Sequence, residues 1–162
     1  MEKKLLCSDE CIEDIIKTYS DMVYKLALSQ TRNRENADDV FQEVFLIYFR
    51  KNHTFENENH RKAWLIRVTI NCSKNIFDSS WFKRTIPLED NLHFETEEND
   101  VYFTVLKLPL KYRTIIHLFY YEDMSITQIS NMLNMKESTI KSRLKRAREK
   151  LKVQLKGDYG DV

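Results

Sequence analysis

The chain has 162 residues but only two glycines, Gly157 and Gly160, so nothing before residue 157 is glycine. Loops that cradle phosphate need glycine where the backbone approaches the ligand. A P-loop, a dinucleotide fingerprint and a glycine-flanked nucleophile elbow are therefore all absent. Tight two-residue hairpins also favour glycine. The expected fold is all-α, and a nucleotide-dependent enzyme is not expected. Hydrophobic residues at 42% and charged residues at 31% describe a globular chain. No run approaches eighteen consecutive apolar residues, and the N-terminal Met1-Glu2-Lys3-Lys4 leads into no long apolar stretch. A cytoplasmic location without membrane insertion is expected.

Cys7, Cys11 and Cys72 are too few, and odd in number, for a disulfide framework. Cys7 and Cys11 are one helical turn apart with no histidine near them in sequence. Free thiols are expected. His53, His60, His93 and His117 show no metal-ligand spacing. No catalytic residue, metal or cofactor is expected.

Charge divides the chain in three. Residues 1–86 carry 14 basic and 13 acidic side chains; residues 87–104 carry six acidic and no basic ones; residues 105–162 carry 12 basic and six acidic. A formal net charge of +1 hides this asymmetry. The expected organisation is two small helical domains, 8–84 and 105–156, joined by a flexible acidic linker over 85–104.

In the first domain three helices are expected, at about 9–29, 35–50 and 61–77, from apolar residues recurring at helical spacing. The first helix would bury Ile12, Ile15, Ile16, Tyr19, Met22, Val23, Leu26 and Ala27. The second would bury Ala37, Val40, Phe41, Val44, Phe45 and Tyr48, with Asn33 or Asn36 as its cap. Its other side presents Asp39, Gln42, Glu43 and Leu46, carboxylates and an amide beside an exposed leucine. The third would bury Leu65, Val68, Cys72 and Ile76. Its opposite face carries Trp64, Arg67, Asn71 and Lys74. Phe55 and His60 lie in the polar loop before it and Trp81 follows it. Aromatics among cations and amides suit single-stranded nucleic acid: rings stack on unpaired bases, amides bond base edges and cations hold phosphates.

The second domain opens at Leu108-Pro109 with a helix to about Tyr121, Tyr112, Ile115, Ile116 and Phe119 inward. Ser125 and Gln128 then form the S-x-x-Q capping box. Ile126, Ile129 and Leu133 line a short helix, and Asn134 stands where a left-handed residue is wanted. Ser138 or Thr139 would cap a last helix whose inner stripe is Ile140, Leu144, Ala147 and Leu151. This is a helix-turn-helix. From Lys136 to Lys156 there are nine basic and two acidic residues. Lys141, Ser142 and Arg143 lie near enough the helix start to reach base edges, and Lys145, Arg146 and Arg148 are expected to hold phosphates.

These segments together resemble a bacterial sigma factor, of the extracytoplasmic-function (ECF) group of the sigma-70 family. ADDVFQEVFLIYFR (37–50) is similar to the family's polymerase-binding helix, AWLIRVTINCSKN (63–75) to its −10-reading helix, and LPLKYRTIIHLFYYEDMSITQISNMLNMKESTIKSRLKRAREKL to its −35-reading region. The resemblance implies that Asp39, Gln42, Glu43 and Leu46 dock on core RNA polymerase. It implies that Phe55 and Asn71 help bind the extruded base of the unpaired −10 strand, with Trp64, Arg67 and Lys74 around it. Lys141, Ser142, Arg143, Lys145 and Arg146 would contact the −35 duplex. An anti-sigma factor, common for this group, is a candidate partner. Ser130 and Asn134 depart from the alanine and glycine common at their positions. The competing expectation is a stand-alone helix-turn-helix regulator with an N-terminal helical sensor domain, which would need neither the acidic face nor the aromatic loop.

Overall fold

The computed structural model describes residues 6–7, 11–50, 53–78 and 99–159. The chain divides into two compact units, Met1–Asp90 and Asn91–Val162. Trp81 and the 85–98 part of the expected linker lie outside the described residues.

The first unit contains α1 (Ile12–Thr31), α2 (Arg34–Arg50) and α3 (Glu58–Asp78), with two short strands, β1 (Leu6–Cys7) and β2 (Thr54–Phe55), paired antiparallel. Local chemistry sets the helix ends. Arg32 takes a left-handed conformation, φ 54°, and its N–H bonds the Leu28 carbonyl at 2.8 Å, closing α1. Asn33 Oδ1 accepts the Asn36 N–H at 2.9 Å, so Asn33 is the cap of α2. Asn57 Oδ1 accepts the His60 N–H at 2.9 Å. That cap starts α3 at Glu58, three residues before the expected start.

All three helices bury apolar side chains against one another: Tyr19, Val23 and Leu26 from α1, Ala37, Val40, Val44 and Tyr48 from α2, Leu65, Ile66 and Ile70 from α3. The stripe expected on α3 is corrected in part. Leu65 and Cys72 are buried, but Val68 and Ile76 are half-exposed, and Arg61, Ile66, Thr69, Ile70 and Ser73 are inside. A helix wedged between two neighbours buries a wide face, so polar residues fall within it. Thr69 and Ser73 meet the cost by donating to the Leu65 and Thr69 carbonyls, at 2.7 and 2.8 Å. Ile12, expected inside, is exposed at the first residue of α1.

The second unit begins with α4 (Asn99–Leu106), which corrects the expectation that the linker runs to residue 104. Tyr102, Thr104, Val105 and Leu106 are buried. Asp100 belongs by charge to the acidic stretch, yet the apolar residues that follow it pack as a helix. Then come α5 (Leu110–Ile116), a π-helical turn (His117–Tyr121), α6 (Ile126–Leu133) and α7 (Glu137–Tyr159). The buried Arg113 donates to the Leu108 carbonyl at 2.6 Å, tying the α4–α5 corner.

The helix-turn-helix forms as its residues require. Ser125 Oγ accepts the Gln128 N–H at 3.1 Å while Gln128 Oε1 accepts the Ser125 N–H at 2.8 Å, a closed capping box. Asn134 is left-handed, φ 53°, and its N–H bonds the Ser130 carbonyl. Ser130 Oγ donates to the Met135 carbonyl, so the serine that stands for alanine supports the turn from inside. Helix α7 starts at Glu137, before either expected cap residue, with the Lys136 carbonyl accepting from Thr139 and Ile140. Thr127 Oγ1 donates to Glu137 Oε1 at 2.8 Å and joins α6 to α7. Ile129, Ile140, Leu144 and Ala147 are buried, whereas Ile126, Leu133 and Leu151 are half-exposed.

Ser125→Ala removes the Oγ that accepts the Gln128 N–H, leaving only the backbone N–H of residue 125 to bond Gln128 Oε1. It should destabilise α6 by about 1 kcal/mol, roughly a fivefold faster amide exchange over residues 126–133. Unchanged exchange measured by mass spectrometry would show that the Oγ bond contributes nothing.

Candidate functional site

The outward face of α7 is cationic. Lys141, Ser142, Lys145 and Arg146 are exposed, all on the helix that follows the turn. Arg143 differs: it is half-buried, and its Nη1 points to Met135 Sδ at 3.7 Å. Its guanidinium therefore rests on the turn rather than reaching outward, and a base edge would have to compete only with a weak thioether acceptor. Two further cations brace the helix. Arg148 Nε donates to Tyr120 Oη at 2.6 Å and its guanidinium lies 5.5 Å from the Phe119 ring. Lys150 Nζ lies 5.7 Å from the Tyr112 ring. Arg148 thus staples α7 to the π-helical turn. The short polar Ser142, flanked by cations at the start of α7, is the geometry of a recognition helix in the major groove.

The outward face of α3 carries Arg67, Asn71 and Lys74, all exposed, with Trp64 half-exposed one turn earlier. Phe55 is a correction. It was expected to offer its ring to a base, but it is 1% exposed. Its ring lies 6.1 Å from Tyr48, 5.8 Å from Trp64, 6.2 Å from His53 and 5.4 Å from His60. The Arg61 guanidinium lies over the Phe55 ring, 5.6 Å from its centroid. The reason is tertiary: α2, β2 and α3 each send rings to one point, and Phe55 fills it. Phe55 is a buttress beneath Trp64, whose ring is also 4.5 Å from His53. Of the cluster's rings, Trp64 and His53 are half-exposed and His60 is exposed.

A network behind this cluster was not foreseen. Tyr19 Oη of α1 donates to Glu58 Oε2, and Glu58 Oε1 is 3.3 Å from Arg61 Nη1. Burial first, and the Glu58 carboxylate next, push the Tyr19 hydroxyl above its ordinary range. The signal in the sequence was Glu58 three residues ahead of Arg61, a helical ion-pair spacing. Nothing local identified Tyr19 as its partner.

On α2, Asp39, Gln42, Glu43 and Leu46 are all exposed, and Leu46 keeps 47% of its surface in water. An apolar residue so open beside acids suits a partner better than solvent. The face continues into a cleft of about 380 Å³ lined by Asp39, Val40, Glu43, Cys72, Asn75 and Ile76. Burial, reinforced by the charge of Glu43, pushes the Cys72 thiol up to about 11. Cys11 is exposed and Cys72 buried, both free. Among the described residues no group of three or more His, Cys, Asp or Glu side chains could hold a metal ion, and no helix is long and apolar enough to cross a membrane.

Two helical units, one of them a helix-turn-helix with a cationic outward face, define a two-domain helix-turn-helix protein. Residues 15–82 match the family described as Sigma-70 region 2, and residues 99–151 the one described as Sigma-70, region 4. The chain is 26% identical over 169 residues to the ECF RNA polymerase sigma factor SigW of Bacillus subtilis strain 168, covering 91% of this chain and 90% of that protein. It is 27% identical over 154 residues to SigM of the same organism, covering 87% and 93%. Its fold is shared with the sigma factor RpoE of Bartonella quintana, solved in complex with the anti-sigma factor NepR, at a TM-score of 0.63 and 19% identity over 89% of this chain and 96% of that one. CnrH, solved with the cytosolic domain of CnrY, gives a TM-score of 0.60 at 21% identity, over 90% and 88%. The chain belongs to the sigma-70 family, in its ECF group.

The raised thiol gives a direct check on the cleft. Two pH units above the ordinary thiol value of 9.0 leaves Cys72 about 100-fold less thiolate than an unperturbed thiol at pH 8. Iodoacetamide should alkylate it correspondingly slowly, and Glu43→Gln should speed the reaction by removing a charge that raises the pKa. Equal rates in the two proteins would place Glu43 away from the thiol.

Proposed function

We propose that this chain is the promoter-specificity subunit of bacterial RNA polymerase: it binds core enzyme, sets the polymerase on duplex DNA at −35 and captures the opened −10 strand. The observation that carries the reading is the pairing of both sigma regions, in order, in one chain. It acts in the cytoplasm and does no covalent chemistry of its own; the polymerase makes the bonds.

Each surface has a role in this mechanism. Asp39, Gln42, Glu43 and Leu46 dock on core polymerase, the acids steering and the leucine supplying apolar area. Lys145 and Arg146 hold −35 phosphates, while Lys141, Ser142 and Arg143 read base edges, Arg143 swinging off Met135 to do so. Arg67 and Lys74 hold the −10 backbone. Asn71 bonds an unpaired base and Trp64 stacks on its neighbourhood, with Phe55 fixing Trp64 from below. Unstacking a base costs a few kcal/mol, which these contacts offset without any chemical fuel. An anti-sigma factor is a fitting partner, since the solved relatives named above are complexes with NepR and with CnrY.

Run-off transcription with purified core polymerase on a genomic promoter library tests the whole reading. Specific transcripts are expected, and their absence would overturn it. Changing Asp39 and Glu43 together to lysine should weaken core association by about 100-fold, because like charges facing each other cost several kcal/mol. A stand-alone regulator would bind its operator just as before and owe nothing to core polymerase. Asn71→Ala should leave that association intact while reducing permanganate reactivity at −10.

Arg143→Ala should flatten −35 sequence preference by roughly tenfold at one position, within the 1–3 kcal/mol that a bidentate base contact discriminates. Equal weakening on every −35 sequence would make Arg143 a phosphate contact instead.

A further inference from the structure

The strand pair β1–β2 joins two segments 47 residues apart at one place. Leu6 pairs with Phe55 and Cys7 with Thr54, antiparallel. The β2 segment belongs to the loop between α2 and α3, the loop that brings His53 and Phe55 against Trp64. From one side that loop is held by side chains: the Phe55 ring in its cluster, His53 Nε2 at 3.3 Å from the Ile47 carbonyl, and the Glu56 N–H donating to His60 Nδ1 at 3.1 Å. From the other side it is held by the backbone of β1.

We propose that β1 is a positioning element for base capture: by pairing with Thr54–Phe55 it holds the α2–α3 loop, and hence His53 and Trp64, in the geometry that receives the unpaired −10 base. The inference rests on the −10 role assigned to α3 above. The physical case has three parts. An extended backbone segment needs partners for its N–H and C=O groups, and β1 pairs with it antiparallel. A pairing two residues long is marginal alone and carries the entropy of closing a long loop, so it persists only because Phe55 is already anchored. Helices α1, α2 and α3 bury their apolar side chains against one another over residues 15–72 of the described chain. What β1 restricts is the loop.

Removal of residues 1–8 behind a new start codon separates these roles. Core association and −35 duplex binding should change less than twofold. Permanganate reactivity of −10 thymines in the open complex should fall about tenfold, and discrimination among bases at the captured position should flatten. Unchanged or increased reactivity would overturn the proposal. A lock gives the converse test. Thr54→Cys in a Cys11→Ser background places a thiol opposite Cys7, and mild oxidation should join them quickly, with melting retained in the joined form. Failure to join, or melting lost on oxidation and recovered on reduction, would show that β1 is not paired or must leave. If the unaltered protein itself opened no promoter with core polymerase, the −10 role would fall and the role of β1 with it. Normal opening by both the full and the shortened chain would sink the role of β1 alone.

Discussion

Helices must end somewhere, and a chain without glycine before residue 157 that ends one on a left-handed residue must use a side chain that resists that backbone. Arg32, Asp123 and Asn134 take that conformation here, at φ 54°, 51° and 53°. Each closes a helical segment and reverses the chain at a defined place. Arg32 ends α1 so that Asn33 can cap α2 two residues later. Asp123 follows the π-helical turn and delivers Ser125 to its capping box. Asn134 sets the turn of the helix-turn-helix. Asparagine bears the left-handed region better than most residues, and Ser130 reinforces it through the Met135 carbonyl. The angle between α6 and α7, and so the presentation of Lys141 to Arg146, depends on this one backbone conformation.

What was readable in the sequence was what local chemistry decides. The Ser125–Gln128 box, the asparagine cap at position 33, the left-handed Asn134 and the exposed stripes on α2, α3 and α7 all follow from spacing and side-chain type. What was not readable depends on distant partners. The buried ring of Phe55 looks in sequence like an aromatic in a polar loop. Only the convergence of Tyr48, His53, His60 and Trp64 turns it inward. Residues 99–104 carry one acid, Asp100, and no base, so by charge they join the acidic stretch, yet Tyr102, Val105 and Leu106 have a core to pack against and become helix. A strand of two residues has no periodicity at all, so β1 was invisible. Arg143 met the rule for a base-reading arginine, but its resting contact with Met135 belongs to the fold and not to the motif.

The two units divide their electrostatics in a way that total charge conceals. Alpha-helix α2 turns carboxylates outward and α7 turns ammonium and guanidinium groups outward, within a chain whose formal net charge is +1. A chain with both faces cationic would bind DNA without preference and repel the cationic partner surface that the α2 acids suit. Under the proposed function these opposed local fields suit different partners, core polymerase for α2 and DNA for α7. Some cations are also spent inside the protein. Arg61, Arg113 and Arg148 serve Glu58, the Leu108 carbonyl and Tyr120, so counting basic residues overstates the number free for phosphate.

Base capture is where preorganisation matters most. Stacking on an aromatic side chain is worth about 1–3 kcal/mol per base, a figure comparable with the cost of unstacking that base from the duplex. With so narrow a margin, any entropy spent on ordering the receiving rings would decide the outcome. Burying Phe55 rather than exposing it removes that expense. Its ring holds Trp64 and His53 in place before DNA arrives, and Arg61 over the same ring ties the cluster through Glu58 to Tyr19 of α1. The residue that the resemblance places beside the base is thus buried under the rings around it, on a loop that β1 pairs with along its backbone.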